Sequence, residues 1–193
     1  AHMLRLAGQK VEEIEGLDGL ISWAEEVIRK QEPFFQEYAP EQRQSVKMAL
    51  QNGISILTGG PGTGKSTQLN GIIKIYKKLF PYRPIYLCAP TGRAAKRMTE
   101  TTGLEAKTIH RLLRYSPEFG GFAHNESNQL SGPGLLAVDE ASMMDCELAY
   151  DLLQAISDGI QVIFLGDVDQ LPSVGPGSIL RDSIDSGVIP TVR

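Results

Sequence analysis

Gly59, four further residues, and then Gly64-Lys65-Ser66 match G-x-x-x-x-G-K-[ST], the spacing of a loop that cradles phosphate. Each residue type has a task. The glycines let the backbone curl so that successive N–H groups of Gly60, Pro61, Gly62, Thr63 and Gly64 (proline excepted) surround an anion. The helix that opens at Lys65, Ser66 and Thr67 turns its positive end to the same phosphates. Lys65 reaches the β- and γ-phosphates, and the Ser66 hydroxyl holds Mg²⁺. A second chemical pair follows 74 residues after Lys65: Leu135-Leu136-Ala137-Val138 runs straight into Asp139-Glu140. An apolar strand ending in two acids is the Walker B arrangement. Asp139 enters the Mg²⁺ shell, and Glu140 orients or deprotonates the attacking water. Alone, the first stretch says only that a nucleoside triphosphate is bound, and the second is an ordinary acid pair. Together they point to hydrolysis of a nucleoside triphosphate with Mg²⁺.

Such chemistry needs strands that end side by side. Residues 54–57, 85–89, 135–138 and 160–165 are short, nearly continuous apolar runs, the pattern of a parallel sheet covered on both faces. Helices are expected over 17–31, with Leu20, Ile21, Ala24, Val27 and Ile28 on one face, and over 40–51, with Val46, Ala49 and Leu50 inward. Others are expected from the phosphate loop to Leu79, after Thr91 as N-cap, over 108–113 behind Thr108, over 146–156 and over 178–186. Residues 4–16 predict no element. Residues 115–134, rich in Gly, Pro and Asn, read as a loop or small hairpin. Gly166-Asp167-Val168-Asp169-Gln170 follows the fourth strand, which places Gln170 where it can sense a γ-phosphate. The expected fold class is α/β, a mainly parallel sheet flanked by helices, with a short helical N-terminal lead over 1–37. Ala1-His2-Met3 has the look of a cloning remnant.

The 193 residues are 41% hydrophobic, enough for one domain with a real core. No apolar run approaches a membrane span and no secretory signal is visible, so a cytoplasmic, membrane-free protein is expected. Cys88 and Cys146 are far apart and read as free buried thiols. The net charge of −4 is unevenly spread: residues 83–114 hold seven Lys/Arg against two Asp/Glu, whereas 115–193 hold two against twelve. A local basic segment can bind phosphates even on an acidic protein. Arg93, Lys96 and Arg97 lie within it, and charge alone does not separate phosphate contact from an ordinary solvated face.

The motifs together resemble the first RecA-like motor domain of a superfamily 1 DNA helicase, closest to the RecD-like branch, the family of the exodeoxyribonuclease V alpha subunit. The resemblance covers residues 38–193. It is carried by Ala39-Pro40-Glu41-Gln42-Arg43, by residues 58–67, 89–98 and 108–113, by Val138-Asp139-Glu140-Ala141-Ser142-Met143-Met144-Asp145, and by residues 165–177. It implies that Gln42 contacts the adenine edge, that Gln170 couples the γ-phosphate to DNA, and that Thr91, Arg93, Thr108 and His110 lie along a single-stranded DNA track. It implies a strand-splitting pin at 115–134 and 5′-to-3′ translocation. It also implies a second RecA-like domain, not contained in these residues, and exonuclease-complex subunits as possible partners. The chain is therefore expected to be a piece of a longer helicase, weakly active by itself. Other readings are the motor domain of a conjugative relaxase, a P-loop phosphotransferase that ignores DNA, and a nucleotide-gated scaffold. The basic 83–114 segment argues against the phosphotransferase, and Glu140 against the scaffold.

Overall fold

The structure, a computed structural model, describes residues 2–118, 120–170, 173 and 175–192. Leu171, Pro172 and Val174 of the 165–177 segment, and Phe119 of the 115–134 segment, fall outside the described residues.

Six strands form one sheet: β1 (Ile54–Thr58), β2 (Ile85–Ala89), β3 (Ala106–Thr108), β6 (Gly134–Val138), β7 (Ile160–Gly166) and β8 (Thr191–Val192), in the order β3-β2-β6-β7-β1-β8. All five pairings are parallel. A separate antiparallel hairpin joins β4 (Tyr115–Ser116) to β5 (Gly121–Phe122) within the segment read as a loop or hairpin.

Side chains alternate across each strand, and the core follows that alternation. Ile54, Ile56, Leu136, Val138, Val162 and Phe164 face one apolar cluster; Leu57, Leu135, Ala137, Ile163 and Leu165 face the other. The second face is covered by α2 (Leu17–Gln31), α3 (Pro40–Gln51), α4 (Lys65–Leu79) and α5 (Gly92–Thr102). The first is covered by α1 (His2–Ala7), α6 (Ile109–Leu112), α7 (Cys146–Gln154) and α8 (Ile179–Asp185). The expected α/β sheet between helical layers is therefore what the chain forms.

Three details differ from expectation. Residues 2–7 are helical, although six residues are too few to hold a helix alone; burial of Leu6 and packing of Met3 against the core stabilise it. Two short edge strands, β3 and β8, extend the sheet. Cys88 is buried but Cys146 is exposed, because Cys146 opens α7 at the rim rather than inside it.

Tyr38 ties the nucleotide side of this layer together. Its ring is buried, its hydroxyl donates to the Thr67 carbonyl at 2.7 Å, and its own N–H donates to Glu25 Oε1 at 3.0 Å. The ring lies on Gly71 of α4, where an added Cβ would run into the hydroxyl and stand 3.1 Å from Cζ. Gly71→Ala gains about 1 kcal/mol of helix propensity, yet overpacking a buried contact costs about 1–3 kcal/mol. Urea unfolding is expected to show net destabilisation, with a lower midpoint and unchanged slope.

Candidate active site

Parallel pairing carries the ends of four strands to one edge. Thr58 is level with Gly166, Cys88 with Val138, and Val138 with Phe164. The Asp139 N–H donates to the Cys88 carbonyl at 2.9 Å, so the acid pair begins where the ladder stops. β7 lies between β6 and β1, and therefore between the acid pair and the phosphate loop.

At this edge a cleft of about 510 Å³ is lined by residues 61–67, Arg97, Asp139, Glu140, Gly166, Asp167 and Gln170. Gly64 sits in the left-handed region at φ +83°, where a Cβ would also stand 2.6 Å from Gln42 Nε2. A larger residue there is excluded twice, by backbone and by contact. No side chain caps α4, so the first N–H groups of a 15-residue helix face the cleft without a protein acceptor from a capping residue.

The Lys65 ammonium bonds the Gly59 carbonyl at 2.5 Å and the Gly60 carbonyl at 2.9 Å. Burial pushes its pKa down, partly offset by the charges of Asp167 and Asp139. Burial likewise pushes the Asp139 carboxyl up, opposed by the Glu140 N–H that it accepts at 2.9 Å. Glu140 adopts left-handed backbone angles, φ 52° and ψ 38°. For a non-glycine residue this costs about 1–2 kcal/mol, a local strain of the kind that gathers at functional sites.

Ser66 and Asp139 offer a hydroxyl and a carboxylate, the hard oxygen donors that suit Mg²⁺. Among the described residues no group of three or more His, Cys, Asp or Glu side chains is arranged to hold a metal. That donor set fits an ion held by one or two protein oxygens together with substrate phosphates.

The predicted residues divide into three groups. The loop residues 61–67, Asp139, Glu140 and Gln170 share the cleft, with Gly60 beside them through its bond to Lys65. Gln42 adjoins the loop: its amide donates to the Thr63 carbonyl at 2.9 Å and accepts the Ala39 N–H at 3.0 Å. Thr91 caps α5 by accepting the Ala94 N–H, and its hydroxyl approaches Glu140 Oε2 at 3.4 Å. Arg93, Thr108 and His110 lie outside the cleft. Thr108 is level with Ala89 at the same sheet edge and caps α6. The exposed His110 ring packs on Tyr115 and Phe122.

Sequence reasoning did not single out Asp167 or Tyr38, and left Arg97 undecided. Asp167 had a usable signal, since it ends an apolar strand as Asp139 does. Arg97 had none beyond its charge: its partner, Glu140, is 43 residues away in sequence.

A phosphate loop on one strand, an acid pair on another and a third strand between them define a P-loop domain of RecA-like architecture. The chain belongs to the AAA domain family, whose profile matches residues 42–176. RecD-type helicases are its relatives. It is 48% identical over 122 residues to the ATP-dependent RecD2 DNA helicase of Deinococcus radiodurans, covering 63% of this chain and 16% of that protein. It is 36% identical over 167 residues to the RecBCD enzyme subunit RecD of Mycolicibacterium smegmatis, covering 75% of this chain and 30% of that one. The chain thus spans less than a third of the length of these curated relatives. Among solved structures, the Pif1 helicase from Candida albicans aligns at TM-score 0.55 and 26% identity, over 80% of this chain and 39% of that one. The UvsW helicase from bacteriophage T4 aligns at TM-score 0.61 and 13% identity, over 96% of this chain and 69% of that one, a likeness of fold.

A buried carboxylate with a raised pKa is a stability cost at neutral pH. Asp139→Asn is therefore expected to raise the melting temperature of the nucleotide-free chain by about 2–4 °C. The gain is full above the raised pKa and vanishes as pH falls below the ordinary carboxyl range, where Asp139 is protonated in both states. Calorimetry at pH 7.5 and pH 3.5 measures both ends.

Proposed function

We propose that the chain is the first motor domain, residues 38–193, of an ATP-dependent DNA helicase of RecD type, moving 5′-to-3′ on single-stranded DNA. One observation supports this reading: the phosphate loop, the acid pair and Gln170 share a cleft that is also lined by Arg97 of α5, the helix that Thr91 caps. Nucleotide chemistry and a basic surface segment therefore meet in one place. The names of the relatives support the same reading.

Lys65 would exchange the carbonyls of Gly59 and Gly60 for β- and γ-phosphate oxygens. The N–H groups at the start of α4 would hold the remaining phosphate charge. Ser66 and Asp139 would hold Mg²⁺, which when bound spreads the charge developing on the transferred phosphoryl group. Glu140 would accept the proton of the attacking water, and Gln170 would hydrogen-bond the γ-phosphate. Gln42, beside the loop, would turn its amide to the adenine edge.

The DNA track would run over the neighbouring ends of β2 and β3, past Thr91, Arg93, Thr108 and His110. The β4–β5 hairpin, held by His110, Tyr115 and Phe122, would be the strand-splitting pin. A second RecA-like domain would close on the cleft and bring arginines to the γ-phosphate, a contribution of about 10³–10⁵ in rate in related hydrolases. Exonuclease-complex subunits are further partners if the protein works as the RecBCD subunits do. The work would be done in the cytoplasm, and no helix among the described residues is long and apolar enough to cross a membrane.

The test is ATP turnover by the longer protein that carries this domain, with and without single-stranded oligonucleotide. Stimulation by DNA is expected, and Lys65→Ala is expected to lower the stimulated rate by about 10²-fold or more. Turnover that ignores DNA would sink the helicase reading; full turnover by Lys65→Ala would sink the loop assignment.

A further inference from the structure

Arg97 stands on the second turn of α5, and its Nη2 lies 2.5 Å from Glu140 Oε1. The Thr91 hydroxyl, at the start of the same helix, lies 3.4 Å from Oε2. Both oxygens of the acid read as the base are therefore engaged by α5. The two partners differ. Thr91 is built into the helix cap, since its oxygen also accepts the Ala94 N–H. Arg97 leaves 59% of its side chain exposed, against 21% for Glu140. The pair is open to solvent on the arginine side and sheltered on the glutamate side.

Glu140 has little freedom in where it sends its carboxylate. Its backbone is held left-handed between the Asp139 bond and the turn at Ala141–Met143. The cleft that Glu140 lines also holds Arg97 of α5 and the phosphate loop. An ion pair with one exposed partner is weakly held, and a guanidinium binds phosphate in the same forked way that it binds carboxylate. A strand phosphate arriving at the first turns of α5 competes directly for Arg97.

We propose that Arg97 is a positioning residue that holds Glu140 against α5 while no strand is bound, and releases it toward the phosphate loop when a strand phosphate takes the guanidinium. This rests on the reading of the site as a DNA-dependent ATPase, and it makes Arg97 the link between the two ligands.

The test compares ATP turnover of the longer protein and its Arg97→Ala and Arg97→Lys variants, with and without oligonucleotide. Arg97→Ala is expected to raise the DNA-free kcat roughly tenfold and to shrink the stimulation ratio by the same factor, the scale of a typical coupling between two sites. KM for ATP is expected to stay within about twofold, since Lys65 and the phosphate loop, the groups read as holding the ground state, are unchanged. Arg97→Lys, which keeps a cation on a long stem, is expected to restore most of the restraint. An unchanged DNA-free kcat in Arg97→Ala overturns the proposal. So does a kcat that falls with a rising KM, which would make Arg97 a phosphate ligand instead. If the unsubstituted protein is not stimulated by DNA, the helicase reading fails on its own, and the DNA-free kcat of Arg97→Ala still decides whether Arg97 restrains Glu140.

Discussion

The parallel ladder β2–β6–β7–β1 is the constraint on which the site depends. Its level pairs run from Ile54–Val162 at one end to Thr58–Gly166 at the other, and from Ile85–Leu135 to Cys88–Val138. A slip of one residue in any strand would turn its apolar side chains from one helical layer to the other. Because both faces are buried, such a slip is costly everywhere, not only at the edge. The register therefore fixes where each strand stops. Gly59, Asp139 and Asp167 are the residues that follow, or nearly follow, those stops. The acids reach the loop because the cores of two faces hold the strands in step.

The same edge concentrates charge that burial disfavours. Lys65 is pulled toward its neutral form and Asp139 toward its protonated form, both by burial. Asp167, which is buried, sits with Asp139 near the ammonium and offsets part of the cost. Such an arrangement is poor as a structural ion pair, because the Lys65 bonds go to the carbonyls of Gly59 and Gly60 and to the Thr63 hydroxyl, not to a carboxylate. It suits a ligand that brings several negative charges and a divalent cation together, which would satisfy the lysine and the carboxylate at once. The left-handed backbone at Glu140 belongs to the same picture. Among the described non-glycine residues only Arg114 and Glu140 have positive φ, and one of them is the second acid of the pair that lines the cleft.

Much of this is legible in the sequence. The strand runs were legible because burial on two faces leaves continuous apolar stretches, and the phosphate loop because its spacing is set by backbone geometry. Helices α2 and α3 were legible from their apolar stripes and from Pro33, Pro40 and Gly53 at their ends. The insertion of β7 between β6 and β1 was not legible, since strand order is a matter of tertiary packing and leaves no mark on any one strand. The Arg97–Glu140 pair was hidden for a related reason: it joins a helix to a strand end 43 residues apart, and the sequence shows only one charge among several. Helix α1 was hidden because its stability lies in the pocket that receives Leu6, and the exposure of Cys146 because a cysteine at a helix start can face either way. Local chemistry was readable, and contacts between elements were not.

The central claim is that the loop from Gly59 to Ser66 binds the phosphates of a nucleotide and that Lys65 is the group that reaches them. Calorimetric titration of the 193-residue chain with Mg·ATP tests it most directly, without any need for hydrolysis or for a second domain. One site per chain is expected, with affinity weakened at least about tenfold by Lys65→Ala in a chain that stays folded. Absence of a binding isotherm, or one that Lys65→Ala leaves untouched, would contradict it.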